Sequence, residues 1–557
     1  MMKNTLLYLS LFIALNQIVA QSFSTPLPIP ATLTGTTFNL NVDEGTVQFK
    51  PGTITNTFGV NGNYLGPTLI MNKGDFVTLN VINDLAESTT MHWHGLHVPA
   101  ADDGGPHSLI AAGTTWSPDF EIKNKASVYW YHPHKMGLTN YQVSMGIAGL
   151  IYVKDAEEAA LNLPRTYGVD DIPLVIQTKL LDNNNQIQIS SQMDSIHMVN
   201  GVIKPYVEAP AQMVRFRAVN GSSSRVLNIG ADDGRTLYQI SSDGGLLENP
   251  VPLTRILLSN GERAEFLVDL TSETVGNTFK LRSYMSEMPS NIEGGGGSAG
   301  HPNPLFGTDW DFVEVRVIAQ TASPVTALPG TMTTLTPYME GDAAKTRPFE
   351  LTSNGQINGV TMDMNVINEV VELGDIEIWT INNITPIAHP FHIHDVQFYI
   401  LDRDDGGGAV SPSAAESGLK DTVLVEAGET VRVIAKFQDY ADPVIPYMYH
   451  CHNLIHEDNG MMGQFTVVDS SLGNKELLAE TIRVYPNPSF DLVHIDNFND
   501  LAIERISLYD ISGRLVKTLA NDLQKLDVGS LPSGLYFLKI QTDKGELTKK
   551  IMRSYIK

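Results

Sequence analysis

The sequence predicts an all-β fold: three related β-sandwich domains in series, then a small β-sandwich at the C-terminal side. Three observations carry this. The body is built of short alternating runs such as FVTLNVIND, VRFRAV and IEIWTINN, divided by Gly, Asn, Asp and Pro clusters. Long amphipathic helical patterns are scarce, which favours packed sandwiches. A segment also recurs, as VNGNYLGPTLIMNKGDFVTLNVIND from Val60, VNGVIKPYVEAPAQMVRFRAVNG from Val199 and INGVTMDMNVINEVVELGDIEIWTINN from Ile357. Each copy has an Asn-Gly turn, a strand, a short turn and an alternating strand that closes on Asn. At 557 residues, several cores rather than one are expected.

In chain order, residues 1–20 read as a cleavable secretory signal. MMKNTLLYLSLFIALNQIVAQSFS has an early lysine, an apolar run too short to span a bilayer comfortably, and small residues around Ala20. No later run suits a membrane helix, so a soluble, extracytoplasmic protein is expected. Residues 21–160 form the first domain, with HWH (His92, His94) and YWYHPH (His132, His134) after its repeat. Residues 165–322 form the second, whose repeat is followed by SSSRVLNIG without paired histidines, so it is expected to be a spacer. Its MPSNIEGGGGSAGHPNP stretch (288–304) is expected to be a flexible loop. Residues 330–470 form the third, with HIH (His392, His394) and YMYHCH (His450, His452). The polar SSLGNKELLAE then leads to a separate small sandwich over 483–557.

A net charge of −25 argues against nucleic acid, whose phosphates need a basic surface. One cysteine, Cys451, cannot form an internal disulfide, so the export product is not a disulfide scaffold. That thiol stands between two histidines in PYMYHCHNLIHEDNGMM. In a strand, residues i and i+2 share a face roughly 6.5–7 Å apart, so each His-x-His pair presents two imidazoles on one side. Ten of the fifteen histidines lie in four short clusters, too many imidazoles and too little sulfur for structural zinc. A thiolate, two histidines and a weak axial methionine make a blue copper ligand set, which His389, Cys451, His456 and Met461 supply. The eight paired histidines are too many for one ion, so a copper cluster is expected. Along the HCH strand, Cys451 faces one way and His450 and His452 the other, giving a short covalent path between the two sites.

HWHG, HPH, HPFHIH and HCHNLIHEDNGMM stand in order over roughly residues 35 to 468. In these motifs the sequence resembles the multicopper oxidases, closest to the bacterial three-domain branch of laccase-like enzymes, bilirubin-oxidase-like enzymes and periplasmic cuprous oxidases. The resemblance implies cupredoxin-like domains and four copper ions. His389, Cys451 and His456, with Met461 axial, then bind the type 1 copper. His92 and His392 bind the type 2 ion, and His94, His132, His134, His394, His450 and His452 bind the type 3 pair. Met462 is read as core filler. The resemblance further implies that a small-molecule donor gives electrons singly near the edge of His456. They pass through Cys451 to a cluster at the interface of domains one and three, where dioxygen becomes water. Asp103 and Glu457 match proton-relay acids, in preference to Asp102.

An axial methionine lowers the type 1 potential, which points to easily oxidised donors: phenols, aromatic amines or Cu(I). For specialised Cu(I) oxidation, Asp363 and Met364 match half of the expected substrate-copper site, but Thr385 and Ile387 replace an acid and a thioether, and no Met-rich insert is seen. Laccase-like oxidation of phenolic or aromatic donors is therefore favoured over cuprous oxidase or bilirubin-oxidase-like activity. Extracellular copper sequestration is the non-enzymatic alternative. The donor pocket is expected to take its walls from loops such as DRDDGGGAVSPSAAESGLKD (402–421). His97, His107, His197, His301 and His494 fit none of the motifs. VYPNP, LYDISGRLV and SGLYFLKI resemble the type A sorting domain of type IX secretion, implying contact with that machinery, removal of the module, and a secreted or cell-surface enzyme.

Overall fold

The recurrent Asn-Gly segment folds the same way three times. Asn61, Asn200 and Asn358 each adopt positive φ, at 54°, 48° and 54°, a region asparagine tolerates better than most residues. Each side chain then bridges two positions of an earlier strand. The amide of Asn61 donates to the Asn39 carbonyl while its oxygen accepts from Asn41 N–H. Asn200 does the same with Pro173 and Val175, and Asn358 with Pro348 and Glu350. At the end of each copy stands a fully buried asparagine. Asn83 donates to the carbonyls of Glu87 and Ile110, Asn220 to those of Arg225 and Leu258, and Asn383 to those of Ile387 and Val425. A buried amide needs such partners, so the residue is dictated by the turn it satisfies.

The computed structural model describes residues 23–189, 194–296, 306–470, 482–497, 502–520, 523–542 and 545–554. The expected signal segment, nearly all of SSLGNKELLAE, and His301 with the latter part of the Gly-rich loop lie outside them. The described residues hold thirty-nine strands and three short α-helices. In each repeat a parallel pair forms the frame: Thr37–Val47 with Phe76–Asn83, Asp171–Lys179 with Met213–Asn220, and Lys345–Thr352 with Ile376–Asn383. Phe76–Asn83 alternates buried and less buried positions along its length, as the period-2 pattern requires. The first sandwich closes over Phe38, Leu40, Leu79 and Trp93. The middle one places a seven-stranded and a five-stranded sheet over Phe216, Phe266, Phe279 and Phe312. In the third, Phe349 packs against Trp379, Phe391 and Tyr449.

Strand pairing sets the histidines side by side. His92–His94 runs antiparallel to Ser127–His132, with His92 opposite His132. His389–Ile393 runs antiparallel to the end of Asp442–Cys451, with His392 opposite His450 and Phe391 opposite Cys451. The described part of the Gly-rich stretch differs from the flexible loop expected. Ile292 is buried, the Asn291 carbonyl accepts from Ala388 N–H and the Glu293 carbonyl from Val226 N–H. The described residues between 482 and 554 hold a three-stranded and a four-stranded sheet over Val493, Ile506, Leu538, Ile540 and Ile551. No helix among the described residues is long and apolar enough to cross a membrane.

Candidate metal centres

Cys451 is fully buried at the end of its strand. His389 Nδ1 lies 3.4 Å and His456 Nδ1 3.6 Å from its Sγ. Donors bonded at about 2.0–2.3 Å to one ion, at near-tetrahedral angles, stand roughly 3.3–3.8 Å apart, so the spacing fits a single metal. Local structure holds each ligand. Thr385 Oγ1 sits 2.8 Å from His389 Nε2, leaving Nδ1 to face the sulfur. His456 rides on the short helix Leu454–Asp458, whose N-terminus Asn453 caps by accepting from Ile455 N–H. The Met461 carbonyl accepts the Cys451 N–H at 3.0 Å, and Met461 N–H donates to the His456 carbonyl. Met461 and Met462 are both buried. Burial pushes the Cys451 thiol up and the imidazoles down, His389 to about 3 and His456 to about 4. Neutral imidazoles are ready ligands, and a buried thiol ionises only when a cation compensates it.

Behind this strand, eight rings converge. His94 Nδ1 lies 3.4 Å from His132 Nε2 and 3.2 Å from His452 Nε2. His450 Nε2 lies 3.1 Å from His134 Nε2 and 3.2 Å from His394 Nε2. The Nε2 atoms of His92 and His392 are buried without a partner. Outer nitrogens are held by the protein: His92 Nδ1 donates to the Asp103 carbonyl, His392 Nδ1 to that of Asp421, and His132 Nδ1 to that of Pro133. His394 Nδ1 bonds Asp103 Oδ2 at 2.8 Å, and His94 Nε2 bonds Asp421 Oδ1 at 3.0 Å. With His394 and His450 donating outward, their inner lone pairs face each other at 3.2 Å. A cation between them would relieve that arrangement, and the donor set fits imidazole-binding metals. Burial first, then the neighbouring rings, keeps His94, His132, His392, His394 and His450 well below the ordinary imidazole range.

Three carboxylates border the cluster. Asp103 is buried and lies on His394 and, at 3.3 Å, near His92 Nδ1. Asp102 offers its carbonyl to the Trp93 indole. Glu457 lies 3.4 Å from His134 Nδ1 and 3.3 Å from His450 Nδ1, its carboxyl pushed well up by burial and then by Asp458. Asp421, which bonds His94, escaped the sequence reading. It stands just before the plain strand Thr422–Val425, and nothing near it in the chain marks it as a site residue. The unassigned histidines stay apart: His97 pairs with Asp395, His107 with Gln464, His197 packs on Trp310 and His494 on Tyr485. Asp363 accepts from Asn365 N–H in an exposed turn.

A pocket of about 410 Å³ opens beside His389 and His456, lined by Asn291, Glu293, residues 352–355 and residues 385–387. The expectation that residues 402–421 form its walls is not met. Arg403 holds Glu416 and Glu429 together, and the groove lined by these residues belongs instead to the side of Arg255 and Glu262. His456 is the one ligand candidate that is only partly buried.

Comparisons with known proteins place the chain in a family. Profiles described as "Multicopper oxidase" match residues 41–158 and 328–471, and one described as "Secretion system C-terminal sorting domain" matches 483–554. The multicopper oxidase mco of Staphylococcus haemolyticus is 33% identical over 442 residues, covering 78% of this chain and 88% of its own. The cell division protein FtsP of Escherichia coli is also 33% identical, over 458 residues, covering 79% and 92%. Among solved structures, the laccase-like multi-copper oxidase CueO of Ochrobactrum sp. superposes with a TM-score of 0.71 at 34% identity, covering 80% of this chain and 100% of that one. The chain therefore belongs to the multicopper oxidase family, as a copper-dependent oxidoreductase that uses dioxygen as electron acceptor.

Proposed function

We propose that the enzyme oxidises small phenolic and aromatic donors at the His389–Cys451–His456 centre, where these three residues and Met461 would hold one copper, and that the eight paired histidines would hold three further coppers that supply electrons to dioxygen. The observation that carries the donor class is the pocket: 410 Å³ is enough for a single substituted ring, and both the partly exposed His456 and Glu293 line it. Bound copper supplies one-electron acceptance on the donor side and electron delivery to dioxygen on the other. The chain supplies the rest. Cys451 is bonded through the backbone to His450 and His452, so the two centres share one short covalent link. Asp103 beside His394, and Glu457 beside His134 and His450, are placed to hold protons at the ring edges.

A phenol losing one electron also loses its proton, and Glu293 is placed to take it. Burial pushes this carboxyl up to about 7; Arg225 opposes the shift and Asp194 adds to it. Below that pH it is protonated and cannot accept, so phenol turnover is expected to rise with pH through about 7. Glu293→Gln should remove this limb and lower kcat/KM for a methoxyphenol roughly 100-fold, while ferrocyanide, which carries no proton, is oxidised as before. Steady-state pH profiles with both donors check this, and an unchanged phenol profile would contradict the donor assignment. A Cu(I) rate far above that of any phenol would instead favour the cuprous oxidase reading, to which the exposed Asp363 turn lends no support.

We read the C-terminal sorting domain as the address for export by type IX secretion, acting on an enzyme that works outside the cell or on its surface. Deleting residues 483–557 in a host with that machinery should keep the oxidase cell-associated without altering turnover per bound copper, as fractionation with activity assays would show.

A further inference from the structure

We propose that Arg263 of the middle sandwich is a positioning residue for the copper cluster, acting through Asp421 on His94. The inference rests on the reading of the eight paired histidines as copper ligands and goes beyond it, since the middle sandwich supplies none of those ligands.

Arg263 is fully buried, on the strand Arg263–Asp269. Its Nη1 and Nη2 donate to the two carboxylate oxygens of Asp421 at 2.7 and 2.6 Å. Asp421 Oδ1 in turn bonds His94 Nε2 at 3.0 Å, and its backbone carbonyl accepts from His392 Nδ1 at 2.8 Å. One guanidinium thus fixes a residue whose carboxylate orients one ring and whose backbone carbonyl holds a second, and a paired fork does this in a way a point charge does not. Arg263 is itself locked. Its Nε donates to the Val128 carbonyl of the first sandwich, Nη2 to the Asp243 carbonyl, and its backbone N–H to the Asp243 carboxylate. Lys420 closes the network by bridging Asp243 and Glu262, 2.9 Å from each.

Two glycines show that the chain makes room for this contact. Gly95, next to His94, has φ +84°, and a Cβ there would stand 2.5 Å from Asp421 Oδ2 and 2.6 Å from Arg263 Nη2. Gly261 has φ +86°, and its Cβ would meet the His452 ring at 3.0 Å. The middle sandwich therefore bears on two rings of the same trio, His94 and His452, whose nitrogens lie 3.2 Å apart.

Arg263→Lys and Arg263→Gln, purified and loaded with copper, provide the test. Groups that orient metal ligands typically change metal affinity or activity 10- to 100-fold. We expect Arg263→Gln to lower kcat by that factor with KM for the donor unchanged, to lose copper from the cluster, and to raise the share of copper visible by electron paramagnetic resonance as a coupled pair is broken. Absorption from the Cys451 centre should persist. Arg263→Lys, which keeps the charge and the fold, should show a weaker form of the same changes. In an Asp421→Asn background, Arg263→Lys should add little. Arg217→Lys is the control: Arg217 is another buried arginine of the middle sandwich, forked on Asp171 at 2.8 Å, and its loss should lower Tm without moving copper content or kcat. The inference is overturned if both Arg263 variants keep full copper, resonance and kcat, or if Arg217→Lys reproduces their losses. Wild-type protein that binds no copper beyond the Cys451 centre would sink the cluster reading, and this inference with it.

Discussion

Cys451→Ser is expected to abolish the blue absorption and donor turnover together while the fold survives. The colour of such a centre comes from the thiolate bond, and a serine hydroxyl is a hard, weakly acidic donor that does not replace it. Sulfur to oxygen changes the volume little, and the backbone around position 451 is held independently, by the Met461 carbonyl on one side and the antiparallel pairing with Phe391 on the other. Near-wild-type strand content and Tm should therefore accompany a fall of phenol oxidation to the uncatalysed background. Copper content should drop by the one ion that His389 and His456 share with the sulfur, while the eight rings behind the strand keep theirs. Absorption spectroscopy, metal analysis and oxygen-consumption rates check the three parts. A serine variant that stayed blue would falsify the assignment of this centre.

The convergence of the histidines was legible because its signal is local. His-x-His on a strand fixes two rings on one face whatever surrounds it, and the HCH stretch says by itself that the sulfur and its neighbours point opposite ways. The Asn-Gly repeat was legible for the same reason, since each asparagine side chain satisfies backbone groups in its own sandwich. What stayed hidden joins residues far apart in the chain. Asp421 is 327 residues from His94 and 158 from Arg263, and no pattern sets apart the residue before the TVLV strand or the first residue of the RAEFLVD strand.

The pocket beside His389 and His456 was misplaced for a related reason. Its walls come from three separate turns, and one of them, residues 290–293, read as mobile because glycines follow it. Ile292 buries instead, and the Asn291 carbonyl ties the turn to Ala388, next to His389. Thr385, which the sequence set against an acid in the cuprous oxidases, turns out to place its hydroxyl on His389 Nε2. A threonine suits that position: it orients the ring without adding charge beside a one-electron centre.

Asp103→Asn is expected to slow the dioxygen half-reaction about 100-fold while leaving anaerobic reduction of the Cys451 centre by the donor unchanged. The carboxylate has two oxygens with different tasks. Oδ2 accepts from His394 Nδ1 at 2.8 Å, and Oδ1, buried and without a hydrogen bond, lies 3.3 Å from His92 Nδ1. Asparagine can keep the first contact through its oxygen. Its amide N–H₂ then faces His92 Nδ1, which already donates to the Asp103 carbonyl, so a spare acceptor becomes a donor facing a donor. The ligands stay in place, and what is lost is a negative group able to take up a proton beside two rings of the cluster. The two half-reactions separate these roles. In the proposed scheme donor oxidation happens at the pocket by His456 and involves neither ring, whereas dioxygen reduction consumes protons at the cluster. Stopped-flow reduction under argon, followed by mixing with dioxygen, reads each in turn. Equal slowing of both would show that Asp103 supports the architecture generally and does not serve proton delivery.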